Sequence, residues 1–80
     1  MNHLTFVDLF AGIGGLRIGF EKACESAGIS TTCVASSEID QACQAVYQLN
    51  FGELPLGDIK QIENLPKHDV MLAGFPCQSF

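Results

Sequence analysis

The run Leu4-Thr5-Phe6-Val7-Asp8-Leu9-Phe10 stops at a glycine cluster, Ala11-Gly12-Ile13-Gly14-Gly15, and helical spacing begins at once beyond it. A short stretch of β-branched and aromatic residues bounded by glycine reads as a buried strand. A buried strand that passes through a glycine loop into a helix constrains the fold strongly, because the chain must then cross back to the sheet as a parallel neighbour. From Gly15 to about Gly28, Leu16, Phe20, Ala23 and Ala27 recur at helical intervals, with Arg17, Glu21, Lys22 and Glu25 elsewhere on the circumference. The spacing predicts an amphipathic helix ended by Gly28.

The alternation continues. Thr31 to Ser37 reads as a second strand, and Asp40 as the cap of a helix that carries Cys43, Val46, Tyr47 and Leu49 and ends near Asn50-Phe51-Gly52. Leu54 to Ile59 holds a short third strand, Ile62 to Leu65 a helical turn, and Asp69 to Ala73 a fourth strand. The expected fold is α/β, a parallel sheet with flanking helices. Strands in such a sheet need cover on both faces, and two helices cannot supply it for a chain in which 48% of the residues are hydrophobic. Residues 1–80 are therefore expected to be a piece of a larger domain.

Charge and cysteines narrow the function. Four Lys and Arg against nine Asp and Glu give a net charge of -5, the reverse of a phosphate-gripping stripe, so this segment alone is not expected to hold nucleic acid. Cys24, Cys33, Cys43 and Cys77 form no C-x-x-C pair and have no zinc-type His spacing. Reduced thiols, the absence of a signal-peptide pattern after Met1 and the lack of a membrane-spanning run point to a cytoplasmic protein without metal or membrane attachment.

The glycine loop lets a ligand approach the backbone at a helix start. The dinucleotide pattern G-x-G-x-x-G fails because Arg17 stands at its sixth position. What remains suits a nucleoside without a pyrophosphate, or serves only strand-to-helix packing. Glu38 follows the second strand where an acidic residue of doubly wound folds reaches a ribose hydroxyl pair; the alternative is that Glu38 and Asp40 cap the next helix, which is the reading for Asp40. Asp58 can accept from an exocyclic amine while Ile39 and Ile59 sandwich a base, or it can simply make a turn. Cys24, Cys33 and Cys43 read as small buried hydrophobes, and His3 and His68 as surface residues without partners. Cys77 follows Pro76 at the carboxyl end of a strand, the edge where open α/β sheets bind ligands, and is either a nucleophile or structural.

Taken in order, Asp8-Leu9-Phe10-Ala11-Gly12-Ile13-Gly14-Gly15, Glu38-Ile39-Asp40, Gly57-Asp58-Ile59 and Gly74-Phe75-Pro76-Cys77-Gln78-Ser79-Phe80 resemble the first four motifs of cytosine-5 DNA methyltransferases of the bacterial restriction-modification type, over essentially the whole chain. The resemblance implies a Rossmann-like, S-adenosylmethionine-dependent catalytic domain, of which residues 1–80 are the N-terminal part. It implies that Phe10, Gly12, Ile13, Gly15, Glu38, Ile39, Asp58, Ile59 and Pro76 line the cofactor site and that Cys77 is the covalent catalyst. It also implies double-stranded DNA as partner, with the target base flipped out. The family's Glu-Asn-Val motif, Arg-rich motif and target-recognition domain do not occur in these residues, so the remainder is expected in cis or in trans. The competing expectations are a non-catalytic assembly segment and a nucleotide-dependent oxidoreductase, the latter disfavoured by Arg17.

Overall fold

A computed structural model of the chain describes residues 2–59, 62 and 64–73. Five elements follow in order: β1 His3–Leu9, α1 Gly15–Ser26, β2 Ser30–Ser36, α2 Gln41–Phe51 and β3 Val70–Ala73. The sheet order is β2-β1-β3, and both pairings are parallel. The chain steps from β1 to one side and later returns to the other, so β1 and β3 flank the point where the winding reverses. The expected α/β architecture is the observed one; α1 ends one or two residues before its sequence pattern does, and α2 runs from the expected Asp40 cap to the expected end at Phe51.

β1 is the buried centre: Phe6 and Val7 are fully enclosed and Asp8 and Leu9 nearly so. Alternate residues of a strand face opposite sides, so Phe6 and Asp8 share one face. Both helices meet that face. The Phe20 ring of α1 packs edge-on against Phe6 with centroids 5.0 Å apart, and Tyr47 of α2 reaches Asp8. Against β2, Phe6 pairs with Cys33 but Val7 with Ala35, which makes Val34 the extra residue of a bulge. β3 is tied at its start, where Asp69 accepts hydrogen bonds from the Thr5 amide and hydroxyl. Those bonds hold the Asp69 carboxyl below the ordinary carboxylate range.

Several expectations are corrected. The third strand, Leu54 to Ile59, reduces to a single parallel bridge between Ser37 and Leu56, because Pro55 has no N–H to extend a ladder. The helical turn from Ile62 is absent among the described residues; the Ile62 amide instead closes a turn onto the Ile59 carbonyl, and Pro66 disfavours helical backbone just before it. On α1 the inward residues are Arg17 and Cys24, while Leu16 and Ile18 are exposed. Phe20 packs inward as its spacing predicts, but Arg17 and Cys24 take the buried places expected of Leu16 and Ala23. On α2 only Tyr47 is fully buried, and Leu49 is 86% exposed. His3 and His68 have partners after all: His3 Nδ1 lies 2.6 Å from the Ser30 hydroxyl and Nε2 3.0 Å from the Thr32 hydroxyl, and His68 Nδ1 lies 2.8 Å from the Pro66 carbonyl.

The exchange on α1 follows from Arg17. A buried guanidinium must be fully paired to repay its desolvation, and here it donates to the Tyr47 hydroxyl at 2.9 Å, Glu53 at 2.7 Å and Glu21 at 3.1 Å. It also lies 4.2 Å from the centroid of the Phe51 ring, a cation–π arrangement. Burial opposes its charge, but the bonds to Tyr47 and Glu53 more than offset that and keep it protonated. No helix among the described residues is long and apolar enough to cross a membrane.

Candidate functional site

The carboxyl ends of β1 and β2 lie side by side, and the loops that leave them build the candidate site. After Leu9, Phe10 takes a left-handed backbone with φ 54°, a conformation that costs a non-glycine residue free energy and recurs at ligand sites. The Ala11 amide donates to the Ser37 carbonyl at 2.8 Å, and the Gly14 amide returns to the Ala11 carbonyl at 2.9 Å, which folds the loop onto the end of β2. Gly14 ends the loop at φ 96°. A Cβ there would overlap the ring of Phe51, so both backbone angle and space demand glycine.

Glu38 leaves the end of β2 with its carboxylate held by two amides. Oε1 accepts from Gly12 at 2.6 Å and Oε2 from Asp40 at 2.9 Å. Each carboxylate oxygen has two acceptor positions, so one remains on each. Asp40 in turn caps α2, accepting the Cys43 amide at 3.0 Å. The Ser37–Leu56 bridge brings in the third loop, Gly57 to Ile59. The result is a pocket of about 80 Å³ lined by Phe10, Ser37, Glu38, Ile39, Gly57, Asp58 and Ile59. Whole ligand sites run to roughly 300–1,000 Å³, so this is the size of part of one.

Of the residues singled out in the sequence, Phe10, Glu38, Ile39, Asp58 and Ile59 line this one pocket, and Gly12 touches it through its bond to Glu38. Ile13 and Gly15 are not among its lining residues: Ile13 is exposed and Gly15 begins α1. Pro76 and Cys77 lie outside the described residues. Sequence reasoning passed over Ser37 and Gly57, which line the pocket, and over Asn50 and Phe51, which touch the glycine loop from α2. The one signal for the latter pair was their place at a helix end.

Among the described residues, the pocket has three apolar walls and two carboxylates and is lined by no Lys or Arg. Such a surface repels phosphate and accepts hydroxyl or amine donors attached to a flat ring. It is poorly suited to a dinucleotide pyrophosphate and well suited to a nucleoside that carries positive charge. Beneath the loop, the Tyr47 hydroxyl donates to Asp8 Oδ2 at 2.9 Å while accepting from Arg17. Asp8 Oδ1 is buried without a hydrogen-bond partner among the described residues, and burial raises the Asp8 pKa against the lowering effect of Tyr47. A larger cavity, about 340 Å³, runs along β2 beside Leu54, Leu56, Ile62 and Leu65. Cys33, which lines it, is kept as the thiol by burial, which pushes its pKa up to about 11.

Residues 4–80 match the family model for C-5 cytosine-specific DNA methylases. The chain is 58% identical over 77 residues to the type II methyltransferase M.HgiCI of Herpetosiphon aurantiacus, covering 96% of this chain and 18% of that protein. It is 57% identical over 77 residues to M.BanI of Aneurinibacillus aneurinilyticus, again covering 96% and 18%. With M.HhaI of Haemophilus parahaemolyticus it shares 52% identity over 79 residues, 96% of this chain and 22% of that one. The chain thus spans about a fifth of the length of these curated relatives.

Proposed function

The chain belongs to the C-5 cytosine-specific DNA methylase family, and from that premise we propose that it is the N-terminal part of the catalytic domain of a restriction-modification type DNA methyltransferase. In this reading it contributes the S-adenosylmethionine site and the nucleophile for methylation of carbon 5 of cytosine in double-stranded DNA. The observation that carries the reading is the meeting of Phe10, Glu38, Ile39, Asp58 and Ile59 around one pocket at the carboxyl edge of a parallel sheet. The acidic lining fits the group. Two carboxylates favour a sulfonium nucleoside over a phosphate-bearing dinucleotide, which counts against an oxidoreductase.

The residues divide the work. Glu38, with one acceptor position left on each oxygen, takes the ribose hydroxyl pair; Asp58 accepts from the adenine amine; Phe10, Ile39 and Ile59 cover the base. Gly12, Ile13, Gly15 and Pro76 complete the cofactor site. When bound, S-adenosylmethionine supplies an electrophilic methyl group. Carbon 5 of cytosine is a poor nucleophile, so the Cys77 thiolate adds to carbon 6 of a flipped-out base and drives electron density onto carbon 5. Glu38, Asp58 and the apolar walls would hold the cofactor as it gives up its methyl carbon to carbon 5 and leaves as the neutral thioether. Loss of the carbon-5 proton restores the ring double bond and expels the thiolate. With a net charge of -5, these residues leave the gripping of DNA to the remainder of the enzyme.

The test uses the complete enzyme and duplex DNA in which the target base is 5-fluorocytosine, from which fluorine cannot leave as a cation. Wild type is expected to form a covalent protein–DNA adduct in the presence of S-adenosylmethionine, and Cys77→Ser none, since a serine hydroxyl is almost wholly un-ionised at neutral pH. An adduct that survives Cys77→Ser would remove Cys77 from the reaction.

A further inference from the structure

Three residues on the last turn of α2 touch the glycine loop and the strand end below it. Tyr47, Asn50 and Phe51 are spaced i, i+3, i+4 and so share one helix face. The Asn50 carboxamide donates to the Ile13 carbonyl at 3.0 Å. The Phe51 ring fills the space beside Gly14 and is itself braced by Tyr47, 4.5 Å away between centroids, and by Arg17. Tyr47 bonds Asp8, two residues before the loop begins. The first turn of the same helix holds the other wall of the pocket: the Asp40 cap amide donates to Glu38 Oε2, and the Gln44 carboxamide donates to the Glu38 carbonyl.

A helix of 11 residues is a rigid spacer of about 16 Å, and here its two ends grip two of the three loops that form the pocket. The circuit closes where Gly12 donates back to Glu38. We infer that Asn50 and Phe51 are positioning residues: through α2 they fix the glycine loop relative to Glu38 and thereby set the affinity of the cofactor site, without touching the cofactor. The inference rests on the cofactor reading above. Asn50 is exposed, so its truncation removes the grip on Ile13 without opening the core.

The experiment compares the complete enzyme with its Asn50→Ala and Phe51→Leu variants, with the exposed Gln48→Ala as control. Amide hydrogen exchange is followed in the ligand-free proteins, S-adenosylmethionine affinity by calorimetry, and kcat at saturating cofactor. For Asn50→Ala we expect faster exchange confined to residues 10–18, cofactor affinity weaker by about two- to tenfold, the scale of one neutral hydrogen bond, and kcat and thermal midpoint unchanged. Phe51→Leu is expected to change loop exchange and affinity in the same direction, and Gln48→Ala to change neither. Unchanged loop exchange in Asn50→Ala, or an increase spread evenly over β1 and β2, would overturn the inference. A wild-type enzyme that binds no S-adenosylmethionine would overturn the cofactor reading instead, with loop exchange still deciding whether α2 holds the loop.

Discussion

At Glu38 one carboxylate does two things: it receives the Gly12 and Asp40 amides and keeps an acceptor position on each oxygen toward the pocket. Glu38→Ala is expected to weaken S-adenosylmethionine binding by roughly 1.5–3 kcal/mol, the scale of hydrogen bonds to a charged group, or about 10- to 150-fold in Kd by calorimetric titration. Equal affinities would remove Glu38 from the ribose site. Asp8 gives a pH signature. Burial raises its folded pKa above the unfolded value, so its contribution to stability is fully present below the unfolded pKa and is lost as pH rises through the folded one. Asp8→Asn keeps an acceptor for Tyr47 and cannot ionise. The variant is expected to be at least as stable as wild type at neutral pH, with the difference shrinking on acidification, in urea midpoints measured against pH; a difference that grows toward low pH would contradict this. Arg17 shows what a single sequence hides. Its acceptors Tyr47 and Glu53 lie 30 and 36 positions away, and no local periodicity reports a partner that distant.

Elements were legible where their signals were local. α1 begins at Gly15 and α2 at the Asp40 cap, and the bounds of β1, α1, β2 and α2 differ from the sequence pattern by at most two residues. Asp40 was readable as a cap, and it accepts the Cys43 amide as a cap does. Asp40→Ala is expected to cost about 0.5–2 kcal/mol of stability, read as a lower denaturation midpoint; its Oδ1 acts on the helix and its main chain on Glu38, so cofactor affinity should fall less than in Glu38→Ala. A larger loss of affinity than of stability would reverse the roles given to the two acids. Legibility failed between residues 54 and 65, where the apolar pattern is broken by Pro55, Gly57 and Pro66 and the chain makes a bridge and a turn in place of regular elements. It also failed at Asn50 and Phe51, whose helix-end positions are plain in the sequence but whose contact with Ile13 and Gly14 exists only once α2 packs beside the loop.

For the whole molecule, both helices meet the Phe6–Asp8 face of β1, and Ile13, Leu16, Leu49 and Met71 remain exposed. Phe10, Glu38, Ile39, Asp58 and Ile59, which line one pocket, come from three of the four motifs, and no one of those motifs points to the pocket alone. Residues 1–80 by themselves are expected to yield no methylated DNA, since their relatives are about five times as long and a net charge of -5 opposes the approach of phosphates. The central claim is that this chain supplies the cofactor site and nucleophile of a cytosine-5 methyltransferase. Its most direct test is to incubate the complete enzyme with duplex DNA and tritiated S-adenosylmethionine, digest the DNA to nucleosides, and identify the labelled product by mass spectrometry. The account predicts label in 5-methylcytosine for wild type and no labelled nucleoside for Cys77→Ser; label on an exocyclic nitrogen, or 5-methylcytosine formed equally well without Cys77, would contradict it.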